Sequence, residues 1–290
     1  MAPAFTNNLQ QNAAKGEVCK VGLDCLPLNS IGDRSLADDV VQAFGIRLVA
    51  NPQVVQLAAN SGFDALFIDL EHSTLSAFDA SILSMAGLQY GITPFVRVPY
   101  QCGDGFVQRV LDGGAMGVIF PHIHNEDDAR AAVSICKYPP TGKRSMTGQV
   151  PYFSLRPTPP GPFVAESNAH ASSVFVMIET KESIENVDSI AAVPDVDVLL
   201  IGSNDLATEL GVPAQFKSDA FRAAVAAVSA ACAKHGKVFG LAGIYDNAEL
   251  QDWALNKLGA RFILVQQDSG ILARAGKESV DAILQVTSTK

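Results

Sequence analysis

Short apolar runs alternate with segments of helical periodicity along most of this chain. From Phe44 onward, eight runs are rich in Val, Ile, Leu and Phe, the residues that favour buried strands. The segments between them have the spacing of amphipathic helices, and several end near glycine, as helices commonly do. The sequence therefore predicts strands at Ile46–Val49, Ala65–Asp69, Thr93–Val98, Gly117–Phe120, Val174–Ile178, Val196–Ile201, Val238–Ala242 and Arg261–Val265. Predicted helices include Pro52–Ser61, Ala77–Gln89, Gly105–Asp112 and Glu126–Cys136.

This alternation limits the fold class. Parallel strands need helical crossovers, and strands that are apolar throughout belong to a sheet buried on both faces. A doubly wound open sheet would give similar local signals. The count of eight strands, with polar residues at many strand ends, favours a closed (β/α)8 barrel, so the prediction is an α/β TIM barrel.

Composition argues against several functional classes. With 48% hydrophobic residues among 290, the chain has ample material for a large core. The formal net charge of −9 and the lack of a basic cluster argue against a nucleic-acid partner. The apolar runs are too short to span a bilayer, and the first residues lack the apolar core of a signal peptide. The five cysteines form no CxxC pair, which is typical of reduced thiols, and a cytoplasmic location is predicted.

Charged side chains follow four of the predicted strands. Asp69 and His72 come at the end of the second run, Arg97 ends the third, and Glu179 and Asp205 follow the fifth and sixth. In a parallel barrel, the carboxyl ends of the strands form the rim where catalysis takes place. We therefore expect these side chains to meet at one site, and a metal-dependent enzyme is the leading interpretation.

The two acids suit a divalent cation. Glu179 and Asp205 offer hard oxygen ligands and leave positions for water and a bidentate 2-oxo acid. This donor set favours Mg²⁺, Mn²⁺ or Co²⁺ over a closed zinc site. The alternative is that both acids simply occupy the first turns of helices, where acidic residues are favoured.

Arg97 and His72 are the candidate catalytic side chains beside the metal. Arg97 ends an otherwise apolar strand, so its guanidinium is expected to point into the rim, although an ordinary ion pair with Asp69 or Glu71 is the alternative. His72 lies three residues after Asp69. The two are interpreted as an acid/base pair in which the carboxylate fixes the imidazole tautomer and raises its basicity.

Five stretches carry a resemblance to a known family: Gly62–His72, Pro94–Val98, Lys137–Arg144, Phe175–Thr180 and Leu200–Leu206. In this order and spacing they resemble the class II metal-dependent pyruvate aldolases of the HpcH/HpaI aldolase/citrate lyase superfamily, of the 4-hydroxy-2-oxoheptanedioate aldolase type. The likeness extends from about Phe44 to Gln285. Within the family, the sequence of these stretches resembles the fungal branch that includes macrophomate synthase.

The resemblance implies a phosphoenolpyruvate/pyruvate-type barrel and a carbon–carbon lyase. The implied reaction is reversible retro-aldol cleavage of 4-hydroxy-2-oxo acids, such as 2,4-dihydroxyhept-2-enedioate, to pyruvate and an aldehyde through a metal-bound enolate. It also implies that Arg97 contacts the keto or enolate oxygen and that backbone N–H groups of Gly202, Ser203 and Asn204 hold the substrate carboxylate. The family further implies a homo-oligomer, a hexamer built as a trimer of dimers that swap the helix at Ile271–Val286.

Several positions depart from the family pattern or remain unassigned. Met177 stands where bacterial members usually carry glutamine, Ser145 replaces a glycine, and Ser269 replaces an apolar residue near the aldehyde pocket. Ser203 and Asn204 replace Pro and Ala, which adds side-chain donors. The fourth predicted strand is followed by two histidines that are interpreted as pocket or structural residues, His122 and His124.

These departures leave alternatives for the activity. Oxaloacetate decarboxylation would use the same enolate and would need no aldehyde pocket. A barrel-derived binding or assembly protein without catalysis is a second alternative. Citrate-lyase-like chemistry on coenzyme A is a third, but no basic nucleotide-binding stretch supports it.

The segment 21–42 interrupts the family pattern. Without it, Asn7–Lys20 would run directly into Ala43–Val49 and would resemble the opening helix and first strand of the family. We interpret the segment either as translated sequence of an unspliced intron or as a genuine surface insertion. The predicted organisation is therefore an N-terminal helix with this insertion over residues 1–43, followed by one barrel domain over 44–290.

A second irregular segment runs from Pro139 to Pro162. It is rich in Pro and Gly and has no clear period. Long loops in compact domains usually cover an active site or contact another subunit, and one of these roles is expected here.

Overall fold

A computed structural model, which describes residues 40–288, has eight parallel strands closed into a barrel. Each strand pairs with the next in chain order, and β8 pairs with β1 to close the sheet. The predicted barrel is confirmed, and the doubly wound alternative is wrong. The strands are β1 (Val41–Ile46), β2 (Ala65–Asp69), β3 (Thr93–Arg97), β4 (Gly117–Phe120), β5 (Ser173–Ile178), β6 (Val198–Gly202), β7 (Val238–Ala242) and β8 (Phe262–Gln267).

Helices connect the strands and surround the barrel. None of those between residues 40 and 288 combines the length and apolar character needed to cross a membrane. They are α1 (Gln53–Asn60), α2 (Ala77–Tyr90), α3 (Asp104–Asp112), α4 (Glu126–Cys136), α5 (Pro160–His170), α6 (Lys181–Glu185), α7 (Val187–Ala191), α8 (Ser203–Glu209), α9 (Asp219–His235), α10 (Ala248–Asp252) and α11 (Asp268–Ser288).

The core has two layers because each strand is buried on both faces. One layer lies between the strands and the helices, and the other fills the interior of the barrel. Inside the barrel, the rings of Phe95 and Phe175 lie 4.6 Å apart and those of Phe175 and Phe262 lie 5.1 Å apart, measured between centroids. This packed interior leaves the rim as the place for polar chemistry.

The first strand lies earlier in the chain than predicted. The prediction of a strand at Ile46–Val49 is wrong, since β1 occupies Val41–Ile46 and Leu48 is 62% exposed. The backbone N–H groups of Leu48 and Val49 donate to the carboxylate of Asp268 instead of a neighbouring strand, at 2.9 and 2.8 Å. The apolar side chains of this stretch therefore do not mark a strand.

The end of the irregular segment 21–42 falls inside β1. Val41 is buried and pairs with Phe262, and Gln42 pairs with Ile263. Residues 21–39 lie outside the described residues, so the origin of the segment and the domain boundary at residue 44 stay predictions.

The loop between Pro139 and Pro162 does not cover the rim along its apolar part. The ring centroids of Tyr152 and Phe153 lie 4.8 Å apart, and the Phe153 ring lies 5.0 Å from that of Phe163 on α5. Pro151 lies 3.2 Å from where a Cβ on Gly114 would stand, just before β4 begins. The prediction of an active-site cover is therefore wrong for this part, which lies at the amino-terminal end of the barrel.

Candidate active site

The rim of the barrel brings the predicted site residues together. Asp69 ends β2, Arg97 ends β3, Glu179 directly follows β5, and Asp205 lies in the first turn of α8 after β6. A cavity of about 430 Å³ opens here, and its lining includes His72, Arg97, Asp205 and residues 202–204. The carboxyl ends of the strands thus form one polar pocket, as the sequence predicts.

Arg97 is held by two carboxylates. Its Nε and Nη2 donate to Asp69 at 2.9 and 2.6 Å, and its Nη1 lies 3.1 Å from Glu71 Oε2. Both of the alternative ion pairs considered for Arg97 are therefore present. Burial acts against the charge of each group, but the Asp69 hydrogen bonds keep the pKa of Arg97 above its ordinary value. Those bonds likewise keep the pKa of Asp69 below its ordinary value despite burial, so the pair stays charged.

His72 has a different partner from the one predicted. Its backbone N–H donates to Asp69 Oδ1 at 3.2 Å, but the carboxylate of Asp69 is occupied by Arg97. The imidazole Nε2 instead lies 3.7 Å from Glu71 Oε2, and the side chain is 54% exposed. The predicted contact between the Asp69 carboxylate and the imidazole is wrong, because the strand-end arginine takes both carboxylate oxygens.

Glu71 links the catalytic candidates. Its carboxylate contacts Arg97 and His72, and its Oε1 lies 3.5 Å from His122 Nε2. Burial raises the pKa of Glu71, while the nearby positive charge of Arg97 opposes that shift. The sequence analysis considered Glu71 only as a possible ion-pair partner of Arg97. Glu71 nevertheless lies between Asp69 and His72, in the stretch that follows β2.

Glu179 is buried at the floor of the site and is held by His122. The backbone N–H of His122 donates to Glu179 Oε1 at 2.7 Å, and its Nδ1 lies 3.3 Å from the same oxygen. This geometry depends on a left-handed backbone at His122, with φ of 52°. His122 thus holds Glu179 and lines a neighbouring cavity of about 320 Å³, whereas the backbone N–H of His124 donates to Asp128 on α4 at 2.9 Å.

The donor set fits a divalent cation. Burial raises the pKa of Glu179 to about 7, and the negative charges of Asp205 and Glu71 add to the shift. Within residues 40–288, no hydrogen bond or ion pair engages the Asp205 carboxylate, which is exposed to the cavity. Two neighbouring carboxylates whose negative charges oppose each other are the arrangement that a bound cation stabilises.

The described chain supplies only part of a coordination shell. Between residues 40 and 288, no group of three or more His, Cys, Asp or Glu side chains is arranged to hold a metal. A cation held by Glu179 and Asp205 would therefore need water or substrate to fill its remaining coordination positions.

The turn before α8 approaches Glu179 closely. A Cβ added to Gly202 would lie 2.1 Å from Glu179 Oε2 and 3.0 Å from Glu179 Cβ, so a larger residue there would have to displace the Glu179 side chain. The Ser203 hydroxyl is buried and donates to the backbone oxygen of Ala242 at 2.6 Å. Ser203 therefore does not add a side-chain donor to the pocket, contrary to expectation, whereas Asn204 is exposed and lines the cavity.

Other cavity residues were not among the predicted site residues. Arg47 follows β1, Tyr245 follows β7, and Gln267 ends β8, and all three line the pocket. Each lies at or just after the carboxyl end of a strand, which is the signal that identified Arg97, so the same signal could have found them. Burial raises the pKa of Tyr245 to about 12, so its hydroxyl stays protonated.

Met177 lies next to Arg97, at the position where the family resemblance implies a glutamine in bacterial members. It is buried, and its sulfur lies 4.0 Å from Arg97 Nη1. Of the other departures from the expected pattern, Ser145 is exposed, Ser269 donates its backbone N–H to Asp268, and Asn204 lines the cavity. Met177 and Asn204 are thus the departures whose side chains change the pocket wall.

Comparisons with known proteins identify the family of this chain. A family model described as HpcH/HpaI aldolase/citrate lyase matches residues 48–272. A 4-hydroxy-4-methyl-2-oxoglutarate aldolase from Hapsidospora irregularis is 58% identical over 258 residues, which cover 89% of this chain and 96% of the relative. A 4-hydroxy-2-oxo-heptane-1,7-dioate aldolase from Salmonella arizonae is 32% identical and covers 81% of this chain and 86% of its own.

The fold is also similar to a solved structure. The crystal structure of macrophomate synthase superposes with a TM-score of 0.75 at 24% identity, covering 91% of this chain and 90% of that one. At this identity the likeness shows a shared fold. The resemblance inferred from the five stretches is confirmed, and the chain belongs to the HpcH/HpaI aldolase/citrate lyase family of aldolase-type lyases.

Proposed function

We propose that this protein catalyses reversible retro-aldol cleavage of a 4-hydroxy-2-oxo acid, with 4-hydroxy-4-methyl-2-oxoglutarate as the first candidate substrate. The name of the relative at 58% identity supports this substrate. Its cleavage breaks the bond between C3 and C4 and gives two molecules of pyruvate. The second product is then a 2-oxo acid, in contrast to the aldehyde expected from a heptenedioate substrate.

The observation that carries the proposal is the meeting of two unlike charge clusters at one cavity. Glu179 and Asp205 form an acidic pair at the ends of β5 and β6, and Arg97 is fixed by two carboxylates at the end of β3. His72 lies at the exposed edge of the same cavity. A keto acid needs an electrophilic partner for its oxygen and a base for its hydroxyl, and these groups can supply both.

Glu179 and Asp205 would hold the divalent cation. When bound, Mg²⁺, Mn²⁺ or Co²⁺ would supply Lewis-acid stabilisation of negative charge on the keto oxygen. Backbone N–H groups of Ser203 and Asn204, at the start of α8, would bind the adjacent carboxylate of the substrate.

Arg97 and His72 would perform the steps that the chain itself contributes. Arg97 cannot lose its proton in the pocket, and Asp69 and Glu71 fix its guanidinium, so it would orient the C2 oxygen and stabilise its charge. His72 Nε2 would accept the proton of the 4-hydroxyl as the C3–C4 bond breaks. In the reverse direction the same nitrogen would return that proton to the new hydroxyl.

A metal-supplemented cleavage assay tests the function. Chelator-treated protein is expected to release no pyruvate from 4-hydroxy-4-methyl-2-oxoglutarate, and added Mg²⁺, Mn²⁺ or Co²⁺ should restore the release. Glu179→Gln and His72→Ala should each lower kcat by about 100-fold or more. Arg130→Gln, on the exposed face of α4, is the matched control and should behave as wild type. Equal activity with chelator and with cation would overturn the proposal.

Oxaloacetate and pyruvate distinguish the alternatives. Decarboxylation of oxaloacetate involves no 4-hydroxyl proton, so a decarboxylase would keep its rate in His72→Ala whereas an aldolase would lose its cleavage activity. Deuterium exchange into the methyl group of pyruvate tests for catalysis of any kind in this site. A barrel that only binds would show no exchange with any of the three cations.

We also propose a homo-oligomer built through α11. This helix of 21 residues is exposed along almost its whole length, and only Asp268 at its start is buried. It carries large apolar side chains that are at least half exposed: Leu272, Val280, Ile283, Leu284 and Val286. Packing against a neighbouring barrel would bury this surface, in line with the hexamer of swapped dimers that the family resemblance implies.

A further inference from the structure

Arg47 occupies the side of the cavity opposite the acidic pair. It directly follows β1, and in a barrel closed in chain order β1 lies across the mouth from β5 and β6, which carry Glu179 and Asp205. Its backbone is fixed, because its N–H donates to the buried carboxylate of Asp268 at 3.2 Å. A cationic side chain is thus positioned on a rigid base at the far wall.

The charge of Arg47 is not compensated by the described chain. Within residues 40–288 its side chain forms no ion pair, and its contact is a 3.4 Å hydrogen bond from Nη1 to Gln267 Oε1. Arg97, the other arginine of the cavity, is by contrast paired with Asp69 and Glu71. Arg47 therefore retains donors that can bind an anion.

Gln267 orients the Arg47 side chain through a hydrogen bond. A Cβ on Gly45 would lie 2.7 Å from Gln267 Cγ, so the glycine leaves room for the glutamine side chain to lie across β1. The amide oxygen then reaches the guanidinium of Arg47. The neutral amide orients the arginine without neutralising it.

From this geometry we infer that Arg47 binds the distal carboxylate of the substrate and makes the pocket selective for 2-oxo dicarboxylic acids. The inference rests on the proposed function, since a 2-oxo acid bound at Glu179 and Asp205 would extend its other end across the barrel toward β1. A second carboxylate in a pocket that already contains several acidic groups needs a cationic partner. The planar fork of Arg47 can bind it through two hydrogen bonds.

A pair of uncleavable ligands tests the inference. Both 2-oxoglutarate and 2-oxopentanoate have five carbons and differ only in a distal carboxylate or methyl group. Calorimetry on Mg²⁺-loaded protein should show that wild type prefers 2-oxoglutarate, and that Arg47→Gln weakens its binding by about 10- to 100-fold. Binding of 2-oxopentanoate should change by less than about twofold. Arg47→Lys keeps the charge but loses the planar guanidinium. Its affinity for 2-oxoglutarate should therefore lie between those of wild type and Arg47→Gln.

Controls make each outcome decisive. Arg130→Gln removes an exposed arginine elsewhere and should leave both affinities unchanged. Unfolding midpoints equal to wild type would show that Arg47→Gln is folded. An equal loss for both ligands, or a wild type without preference, would overturn the role of Arg47.

The inference and the proposed function fail in different ways. If wild type neither cleaves 4-hydroxy-4-methyl-2-oxoglutarate nor exchanges the pyruvate methyl protons with any cation, the proposed function is wrong. If wild type cleaves that substrate and Arg47→Gln has the same kcat/KM, only the assignment of Arg47 is wrong. If Arg47→Gln loses kcat/KM by the factor seen in 2-oxoglutarate affinity, both are supported.

Discussion

Single residues in this site are defined by buried charge. Glu179 is 1% exposed, receives one backbone N–H from His122, and faces the negative charges of Asp205 and Glu71. Such a carboxylate is costly to ionise unless a cation is nearby. Under the proposed function, Glu179 therefore links the binding of a cation to its own protonation and to the stability of the protein.

This coupling predicts a pH-dependent stability of the chelator-treated protein. The pKa of Glu179 is raised from 4.5 to about 7 in the folded state, so the folded protein retains a proton that the unfolded chain loses. The contribution of the protonated Glu179 to the free energy of unfolding is fully present below pH 4.5. It is lost as the pH rises through about 7, and the loss is at most about 3 kcal/mol. Urea unfolding at pH 5 and pH 8 should show this loss in wild type.

Two comparisons isolate the effect of Glu179. Glu179→Gln cannot ionise and should show a smaller decrease between the two pH values than wild type. Saturating Mn²⁺ at pH 8 should restore stability in wild type only. The same pH dependence in both proteins would contradict this account of the buried acid.

A second residue-scale prediction concerns Gly202. Gly202→Ala would place a Cβ 2.1 Å from Glu179 Oε2, so the carboxylate that we propose as a metal ligand would have to move. We expect cleavage to fall by about 100-fold, because small displacements of catalytic groups have effects of this size. Steady-state kinetics with titrated Mn²⁺ would measure the loss. Gly105→Ala meets no atom within 4 Å and should retain activity.

At the scale of elements, Asp268 joins the first strand to the last helix. It is buried at the start of α11 and accepts hydrogen bonds from the backbone N–H groups of Arg47, Leu48 and Val49. These groups have left the β-ladder and need an acceptor. One carboxylate therefore fixes the loop that carries Arg47.

Asp268→Ala should destabilise this junction. Removing the acceptor leaves several partly buried donors unsatisfied, and we expect the free energy of unfolding to fall by about 2 to 3 kcal/mol. Asp281→Ala, which removes an exposed ion pair with Lys277 on the same helix, should cost less than about 1 kcal/mol. Chemical denaturation would compare them, and equal effects would show that Asp268 does not organise the loop.

At the scale of the whole molecule, α11 is the element that the barrel leaves uncovered. Leu272 contributes to a separate cavity of about 420 Å³ where the helix leaves the barrel beside α1. Further along, Val280, Ile283 and Leu284 are exposed. An apolar helix of this length is expected to have a protein partner, and a second copy of the chain is the proposed one.

Charged substitutions on α11 test the assembly. Ile283→Glu combined with Leu284→Glu should reduce the mass measured by sedimentation velocity, because buried carboxylates would oppose the subunit contact. Lys277→Ala lies on the part of the helix that forms ion pairs and should leave the mass unchanged. An unchanged mass in the double variant would show that α11 does not hold the oligomer.

Much of the architecture was predictable because burial on both faces makes each strand an apolar run. Seven of the eight strands were predicted close to their observed positions, and Ile46–Val49 failed because Arg47 to Val49 are held by a side chain distant in sequence. The strand-end rule also identified Asp69, Arg97, Glu179 and Asp205 as neighbours, since parallel strands share one rim.

The sequence by itself determined the family, the order of strands and helices, and the acidic, arginine and histidine residues that end or follow β2, β3, β5 and β6 at the rim. Only the tertiary structure decided which groups pair: Asp69 with Arg97, His72 with Glu71, and Glu179 with His122. The apolar pattern of a strand depends only on neighbouring residues, so the strands can be predicted from the sequence. The hydrogen-bond and ion-pair partners of the rim side chains depend on distances across the mouth of the barrel. These distances are fixed only when the sheet closes.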